Sequence, residues 1–387
     1  MARIYLDNAA TSFPKPPKVA QAVFDYMTNG GCNINRGCYE SAYDLEELIF
    51  ETRQLICDFF EGSDCRNVVF TKNVTESLNV LLKGFLKAGD HILVSSMEHN
   101  AVMRPLVQLQ SEGVEYSRIP CTKEGQLMVE KIEEMIQPNT KAVLITHASN
   151  VCGTVMPINI VGGICRKNGI KFFVDTAQTA GVLPVSMKKD YIDAVAFTGH
   201  KGLLGPQGTG GLVLAEDFEK QIKPLLSGGT GSISHTEEIP EFMPDRFEPG
   251  TLNLPGILGL REGLLWLKEQ PKGAVLNHEL ELTNKFINGL SQLENESLVR
   301  ILGLHGTDGR IGVVSIDTPH HEMAHVAYEL NSRYGIETRV GLHCAPSAHK
   351  TLGSFPSGSI RFSFGIFNNN EDVAAAINGL KEILYGN

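Results

Sequence analysis

The residues best suited to chemistry lie in one segment, between Phe172 and Gly211. An apolar run ends at Asp175, and the next apolar run leads into Thr198-Gly199-His200-Lys201. A lysine amine that is partly desolvated stays neutral and can form a Schiff base. Taken alone, Lys201 could equally be an exposed loop lysine. Asp175, however, lies 26 residues before Lys201 and supplies the carboxylate that a pyridinium nitrogen requires, so the pair favours Schiff-base chemistry.

The elements that must position these residues alternate between strand and helix. Short β-branched runs predict strands at Asn67 to Phe70, His91 to Val94, Val114 to Ile119, Lys141 to Thr146, Lys171 to Val174, Ala194 to Thr198 and Gly211 to Leu214. Helical spacing of apolar residues predicts helices at Ser41 to Phe60, Thr75 to Leu86 and Val129 to Ile136. This alternation predicts an α/β fold with a mainly parallel sheet and helices on both faces.

The alternation of short strands and helices ends after Glu248-Pro249-Gly250-Thr251. A long helical region, roughly Ile257 to Leu293, precedes strands at Ile311 to Ile316 and Ser359 to Phe364. We therefore expect a large domain over residues 15–255 and a smaller α+β domain formed by residues 1–14 and 256–387. Chemistry is expected near the carboxyl ends of the parallel strands, where such folds bind ligands.

Composition limits the class of protein. The 387 residues are 42% hydrophobic and 20% charged, which is ordinary for a globular enzyme and excludes a small disulfide-held scaffold. The formal net charge is −10 without a charged run, so nucleic acid is not expected as a partner. No apolar stretch is long enough to span a membrane, and the first residues lack a signal-peptide layout, so a cytoplasmic protein is expected. The 8 cysteines include no Cys-x-x-Cys pair.

Two other motifs are weaker. His321-Glu322-Met323-Ala324-His325 has the H-E-x-x-H spacing of zinc sites, but no third ligand follows it clearly, and we expect no metal site. Gly208-Thr209-Gly210-Gly211-Leu212-Val213 lacks the last glycine of G-x-G-x-x-G, and no P-loop pattern occurs, which disfavours dinucleotide and nucleotide binding.

Nine motifs in a fixed order resemble the class V aminotransferase family of pyridoxal phosphate enzymes, within its cysteine desulfurase and selenocysteine lyase branch. They run from Tyr5 to Thr11, Thr71 to Asn79, Met97 to Asn100, His147 to Thr154, Val174 to Gln178, Thr198 to Pro206, Phe247 to Asn253 and Arg339 to Pro346, and end at Arg361. The resemblance covers essentially the whole chain. It implies the fold of fold type I pyridoxal phosphate enzymes, in which the large domain holds a seven-stranded sheet.

The resemblance also implies a cofactor site for pyridoxal 5′-phosphate. Lys201 would hold the cofactor covalently and Asp175 would keep its pyridine nitrogen protonated. His99 would stack on the cofactor ring and, as a catalytic residue, help to move protons. Gln178 and Asn150 would bind the phenolic oxygen. The implied phosphate contacts come from Val74, Thr75, Thr198 and His200, and from Thr251 of the neighbouring subunit of a homodimer. Free amides at a helix start favour a phosphate, although Thr75 could also be an ordinary helix cap.

Substrate contacts are implied by the last two motifs. Arg361 matches the residue that clamps the substrate α-carboxylate, and Arg339 is expected to orient the loop or to meet the same carboxylate. Cys344 would face the substrate sulfur, and His343 with the local positive charge would favour its thiolate. Arg361 comes only 17 positions after Cys344, which predicts an ordered loop.

One segment departs from the family. The branch often has histidines in Asn-x-His-Arg-Gly-x-His, whereas this chain has Asn35 and Tyr39 at the two histidine positions. Because those positions line the substrate side in the family, Asn35 is predicted to bind substrate. Cys38, in the same segment, is expected to be structural.

The resemblance implies a cysteine desulfurase that converts L-cysteine to L-alanine, forms a persulfide on Cys344 and passes the sulfur to an acceptor, which could be a protein. The alternatives are a selenocysteine lyase acting on L-selenocysteine, a C–S or C–Se β-lyase that releases pyruvate, and a transaminase. A non-catalytic protein that keeps the fold is a further alternative, which the full set of catalytic residue types disfavours.

Overall fold

The structure is a computed structural model that describes residues 3–35, 37–233 and 235–386. Within those ranges the chain forms 13 strands and 11 α-helices. The strands are β1 (Ile4–Tyr5), β2 (Val68–Thr71), β3 (His91–Ser95), β4 (Glu115–Ile119), β5 (Thr140–Thr146), β6 (Lys171–Asp175), β7 (Ala194–Thr198), β8 (Gly210–Leu214), β9 (Arg300–Leu302), β10 (Val313–Asp317), β11 (Ile336–Glu337), β12 (Arg339–Gly341) and β13 (Ser359–Ser363). The helices are α1 (Pro17–Asp25), α2 (Glu40–Phe59), α3 (Val74–Phe85), α4 (Asn100–Gln110), α5 (Ile132–Met135), α6 (Ile158–Asn168), α7 (Leu254–Glu269), α8 (Ala274–Asn295), α9 (Met323–Tyr334), α10 (Pro346–Leu352) and α11 (Asn370–Tyr385).

The large sheet has seven strands in the order β2-β8-β7-β6-β5-β3-β4. Strands β7, β6, β5, β3 and β4 pair in parallel, whereas β8 is antiparallel to both β7 and β2. The predicted mainly parallel α/β sheet is confirmed. Each predicted strand lies within one or two residues of its observed bounds, because runs that are buried on both faces are nearly continuously apolar.

Both faces of this sheet are covered by helices. Side chains alternate between the faces, so that Phe172 and Val174 pack with α2, α6 and α7, whereas Phe173 packs with α3 and α4. Apart from the partly exposed outer strand β4, the two helical layers leave mainly the strand ends accessible. The site must therefore form at an edge of the sheet.

The second sheet has four antiparallel strands in the order β12-β13-β10-β9. Its apolar face packs on α8, α9 and α11 around Phe286 and Phe362. The N-terminal strand β1 pairs in parallel with β11, and Asp7 forms a bridge with Ser363 of β13. The first residues of the chain are thereby attached to its last sheet.

Two predicted helical regions differ from the structure. The region from Ile257 to Leu293 is two helices, α7 and α8, because Pro271 cannot continue a helix and Gly273 has a φ of 78°. The predicted helix from Val129 to Ile136 is a 3₁₀ turn followed by the four-residue α5.

The division of the chain after residue 255 stays a prediction. Helix α7 begins at that point, but its residues Ile257, Leu260 and Leu264 pack in the core beneath the large sheet. Among the described residues, no helix is both long and apolar enough to cross a membrane.

Candidate active site

Polar residues follow the carboxyl ends of four neighbouring strands of the large sheet. The strands β7, β6, β5 and β3 lie in this order in the sheet. They lead respectively to Lys201, Asp175, Asn150 and His99. Parallel strands bring their carboxyl ends to one edge, so residues far apart in the chain meet there.

A cavity of about 380 Å³ opens at this edge. Its lining includes ten of the residues predicted from the sequence, namely Val74, Thr75, His99, Asn150, Thr198, His200, Lys201, Arg339, Cys344 and Arg361. The lining therefore combines the large sheet, the N-terminus of α3 and the four-stranded sheet.

Lys201 is half-buried, and its amine is easier to deprotonate than a free lysine amine. Burial, followed by the charge of Arg361, lowers the pKa of Lys201 from 10.5 to about 8, while Asp175 opposes this effect. A Cβ atom on the next residue, Gly202, would lie 2.3 Å from the Ala180 carbonyl oxygen, so this close backbone approach requires glycine. A fraction of Lys201 is thus neutral near pH 7, the form that acts as a nucleophile or base.

Asp175 ends β6 and is almost fully buried. Burial raises the pKa of Asp175, whereas a hydrogen bond donated by the Ala177 amide (2.8 Å) and the charge of Lys201 lower it. A buried carboxylate is costly unless a cation or donors compensate it. The environment therefore suits a cationic group bound against Asp175.

The two histidines that line the cavity beside Lys201 are neutral. Burial, followed by the charge of Lys201, lowers the pKa of both His99 and His200 to about 4. His99 Nδ1 accepts a hydrogen bond from the Ala101 amide (3.0 Å), which leaves its proton on Nε2. His200 Nδ1 is buried and has no partner among the described residues.

The N-terminus of α3 opens onto the cavity. Asn73 caps this helix, and its side chain accepts a hydrogen bond from the Glu76 amide (3.0 Å). Val74 and Thr75 occupy the first two helical positions, so Thr75 is not the cap. The first amides of a helix have no partner within it and attract an anion.

Arg361 and Arg339 both bind Asp7. Arg361 Nη2 lies 2.8 Å from Asp7 Oδ1, and Arg339 Nη2 lies 2.9 Å from Asp7 Oδ2. Arg361 Nη1 also donates to the Asn150 carbonyl (3.0 Å), but its buried Nε has no partner among the described residues. Arg361 thus retains a donor for a further acceptor.

Cys344 is exposed in a short loop between β12 and α10. His343 and Cys344 both have positive φ values, 48° and 55°, which non-glycine residues adopt only when the surroundings hold them. The side-chain amide of Asn150 donates to the His343 carbonyl (2.8 Å), and the backbone amide of Asn100 donates to the Cys344 carbonyl (2.8 Å). These contacts hold the loop in place.

His343, predicted to favour the Cys344 thiolate, is neutral near pH 7. Burial, followed by the charge of Arg361, lowers the pKa of His343 to about 2. Its Nε2 lies 2.9 Å from Ser359 Oγ. The nearby cation is instead Arg339, whose pKa is raised mainly by its hydrogen bonds to Asp7 and slightly by Cys344.

Four predicted residues do not line this cavity, and one of them, Asp175, is buried at the end of β6. Gln178 donates to the Ala9 carbonyl (3.1 Å) and lines a neighbouring cavity that it shares with Lys201. Asn35 and Thr251 line a separate cavity of about 590 Å³, where the Asn35 amide group donates to the Thr230 carbonyl (2.7 Å). Their predicted roles at the substrate and the phosphate stay predictions.

The remaining motifs have local structural roles. Glu322 caps α9 by accepting hydrogen bonds from the Ala324 and His325 amides (3.2 and 2.9 Å). Tyr39 is the residue before α2, and Cys38 is exposed. Arg36, in the segment that departs from the family, lies outside the described residues.

Sequence reasoning missed three residues with a part in the site: Asp7, Asn73 and Asn100. The helix-capping pattern Asn73-x-x-Glu76 was a usable signal for Asn73. Asp7 and Asn100 act through contacts across more than 200 residues of sequence, which no local pattern reports.

Comparisons with known proteins agree with this geometry. The family model described as aminotransferase class-V matches residues 4–375. A probable cysteine desulfurase of Methanothermobacter thermautotrophicus is 30% identical over 385 residues, 98% of this chain and 94% of that protein. A cysteine desulfurase of Escherichia coli O157:H7 is 31% identical over 98% of this chain and 93% of its own length. The apo structure of a cysteine desulfurase from Thermococcus onnurineus NA1 superimposes with a TM-score of 0.91 at 32% identity, covering 100% of this chain and 95% of that one.

Proposed function

Because the chain belongs to the class V aminotransferase family, we propose that it is a cysteine desulfurase that takes the sulfur of L-cysteine onto Cys344 and releases L-alanine. Pyridoxal phosphate is the cofactor of this family. One observation carries the proposal: Lys201, Arg361 and Cys344 line the same cavity. An amine base, a carboxylate clamp and a thiol are the three groups that this reaction needs from the protein.

The residues of the cavity fit pyridoxal phosphate. The α3 amides and the unpartnered His200 Nδ1 suit a phosphate, and the buried Asp175 carboxylate suits a protonated ring nitrogen. Lys201 has a depressed pKa, as an amine that bonds an aldehyde requires. We assign the phosphate end to Val74, Thr75, Thr198 and His200, and the ring to His99, Asn150, Asp175, Gln178 and Lys201.

The bound cofactor would supply an electron-accepting ring that allows the Cα–H and C–S bonds of an amino acid to break. The protein's own groups direct these events. Arg361 binds the α-carboxylate through the donors left free by Asp7 and Asn150, and thereby fixes which bonds face Lys201 and Cys344. Lys201 accepts the Cα proton. The Cys344 thiolate attacks the substrate Sγ, so that an S–S bond forms as the C–S bond breaks and the electron pair of that bond stays with the carbon fragment. The fragment gains a proton at Cβ from solvent and regains the Cα proton from Lys201, and leaves as alanine.

Product analysis on the cofactor-loaded protein tests the function. L-Cysteine is supplied with a thiol reductant, beside L-selenocysteine, and alanine, pyruvate and sulfide are measured. We expect alanine and sulfide in equal amounts from L-cysteine, and none from Lys201→Ala. Pyruvate in place of alanine would indicate a β-lyase, and alanine from L-selenocysteine alone would indicate a selenocysteine lyase; either result would overturn the proposal.

We also propose a homodimer in which Thr251 reaches the phosphate of the neighbouring subunit. In support, Thr251 lies outside its own chain's Lys201 cavity and lines a groove with the exposed Leu225 and Leu226. Groups of exposed apolar side chains are typical of interfaces.

A mixing experiment tests the shared site. Lys201→Ala and Thr251→Asp should each be inactive alone, because one lacks the base and the other places a negative charge against the phosphate. Mixed and reassociated in equal amounts, they should regain about a quarter of wild-type activity, since half of the dimers would then hold one intact site. Failure to regain activity despite heterodimer formation would contradict the proposal.

The exposed position of Cys344 supports transfer of its sulfur to an acceptor, which can be a protein. A persulfide there is reachable by a second thiol without opening of the fold. We expect added thiol compounds to release the sulfur at a rate that depends on their concentration.

A further inference from the structure

Asp7 is the centre of a three-residue charge cluster beside the cavity. Its carboxylate receives Arg361 Nη2 at 2.8 Å on one oxygen and Arg339 Nη2 at 2.9 Å on the other. Arg339 Nε lies 3.0 Å from the second oxygen as well. One carboxylate thus serves two guanidinium groups.

The fold explains why a carboxylate is needed there. Arg339 of β12 and Arg361 of β13 are directly opposite each other in an antiparallel pair. Like charges in that relation repel. Asp7 reaches the pair because its backbone bridges to Ser363, two residues beyond Arg361 on the same strand.

Asp7 lies behind the cavity rather than in its wall. Among the described residues, the lining includes both arginines but not Asp7. The side chain of Asp7 is 12% exposed, compared with 50% for Arg339 and 3% for Arg361. The carboxylate therefore reduces the charge of the site without occupying the space where a ligand would bind.

We propose that Asp7 is a specificity-determining residue that sets the charge of the carboxylate site to +1, so that the site admits amino acids with one carboxylate and disfavours those with two. This inference rests on the proposed function, since it assumes that Arg361 binds the substrate carboxylate. Two arginines and one aspartate leave one positive charge, which a single α-carboxylate neutralises. A second carboxylate would have no positive charge left to meet it.

The ratio of dianion to monoanion affinity distinguishes a charge role of Asp7 from a structural one. A dianion in the cavity experiences the negative charge of Asp7 twice as strongly as a monoanion of similar shape. Loss of that charge therefore favours the dianion more than the monoanion. A purely structural role for Asp7 would change the affinity for both anions by a similar factor.

The test measures binding of succinate and propionate to the cofactor-loaded protein by calorimetry at low ionic strength. In Asp7→Asn, which keeps the shape and one acceptor oxygen, succinate should gain about tenfold in affinity relative to propionate. Glu337→Gln is the matched control, because it removes a carboxylate of the partly exposed Arg3–Glu337 pair and should leave the ratio unchanged. A ratio within about twofold of wild type in Asp7→Asn would overturn the inference.

Charge-compensating variants keep the test decisive if Asp7→Asn folds poorly. Arg339→Gln should shift the ratio in the opposite direction, towards propionate, and the double variant Asp7→Asn/Arg339→Gln should return it to the wild-type value. A double variant that keeps a shifted ratio would contradict the charge account. The test measures anion binding and does not require that alanine be formed from L-cysteine. Failure of this inference and failure of the proposed function are therefore separate results.

Discussion

The positive charges at the cavity belong to arginine and lysine, because burial keeps the histidines neutral. The pKa of His99 and of His200 is lowered to about 4, and that of His343 to about 2. These imidazoles can donate and accept hydrogen bonds near pH 7 but contribute no charge there. The cation that interacts with Cys344 is therefore Arg339.

This assignment predicts the pH dependence of Cys344 alkylation. Between pH 5 and 8 we expect the rate with iodoacetamide to show no inflection near pH 6.5, because His343 stays unprotonated throughout. Peptide mapping of the alkylated protein gives the rate at Cys344 alone. His343→Gln should show a curve of the same shape. An inflection near pH 6.5 that disappears in this variant would contradict the assignment.

At this scale the sequence predicts the residues that follow strands but not those that meet across the fold. Asp175 and Lys201 were identifiable because each follows an apolar run. The pairing of Asp7 with Arg361 spans 354 residues and depends on how β13 meets the N-terminal segment. The neutral state of His343 likewise follows from tertiary packing, because that packing buries its imidazole.

Among the elements, α3 has the most direct link to function, since its N-terminus faces the cavity. Asn73 holds the first turn through the Glu76 amide. Asn73→Ala should lower the free energy of unfolding by about 1 kcal/mol and also weaken binding of pyridoxal phosphate, because the amides that meet the phosphate lose their alignment. Denaturant unfolding and equilibrium dialysis measure the two effects.

The matched control is Asn369→Ala, which removes the cap of α11 away from the cavity. It should cost a similar amount of stability, about 1 kcal/mol, without changing cofactor affinity. Equal losses of cofactor affinity in the two variants would show that stability alone controls binding and would contradict the role given to α3.

Strands were predicted correctly where burial gives them a continuous apolar run. A helical region was predicted incorrectly where a proline and a glycine divide it into two helices. The predicted strands of the large sheet end within one or two residues of their true bounds, and all of them except the partly exposed β4 carry apolar runs. Pro271 and Gly273, which separate α7 from α8, were visible in the sequence, yet the apolar spacing on both sides indicated one region. Predictions of caps and breaks should therefore take precedence over periodicity at such points.

For the whole molecule, buried carboxyl groups predict a loss of stability with rising pH. Burial raises the pKa of both Glu98 and Glu279 to about 8. Between pH 6.5 and 8 the folded chain keeps these protons while the unfolded chain releases them. The free energy of unfolding should then fall by up to about 1.4 kcal/mol per pH unit for each group. Below pH 6.5 the neutral histidines act in the opposite direction, because their folded pKa values are depressed.

Glu98→Gln isolates one of these groups. The amide keeps an acceptor for Ser95 Oγ (2.6 Å) and the Thr146 amide (2.9 Å). Denaturant unfolding at pH 6.5 and pH 8 should show a smaller fall in stability for this variant than for wild type, whereas the exposed Glu237→Gln should match wild type. An unchanged fall in Glu98→Gln would contradict the raised pKa.

The architecture as a whole was predictable from alternating strands and helices. The contacts that the N-terminal segment makes with the C-terminal sheet were not predictable in this way. Within residues 4–12, Asp7 bridges to the four-stranded sheet. Ser12 contacts the Lys201 backbone, because its Oγ donates to the Lys201 carbonyl (2.8 Å). Arg361 and Lys201 are thereby joined by one segment. No periodic pattern in residues 4–12 predicts that this segment contacts both the four-stranded sheet and the Lys201 backbone.

The most direct measurement is a single turnover of the cofactor-loaded protein with one equivalent of L-cysteine and no reductant, followed by mass spectrometry of the digested chain and by quantification of alanine. The account predicts one alanine per persulfide, with the persulfide on the peptide that contains Cys344. Cys344→Ala should form neither, and Cys38→Ala, which removes the other exposed cysteine, should behave as wild type. Alanine formed by Cys344→Ala, or a persulfide on another cysteine, would contradict the account.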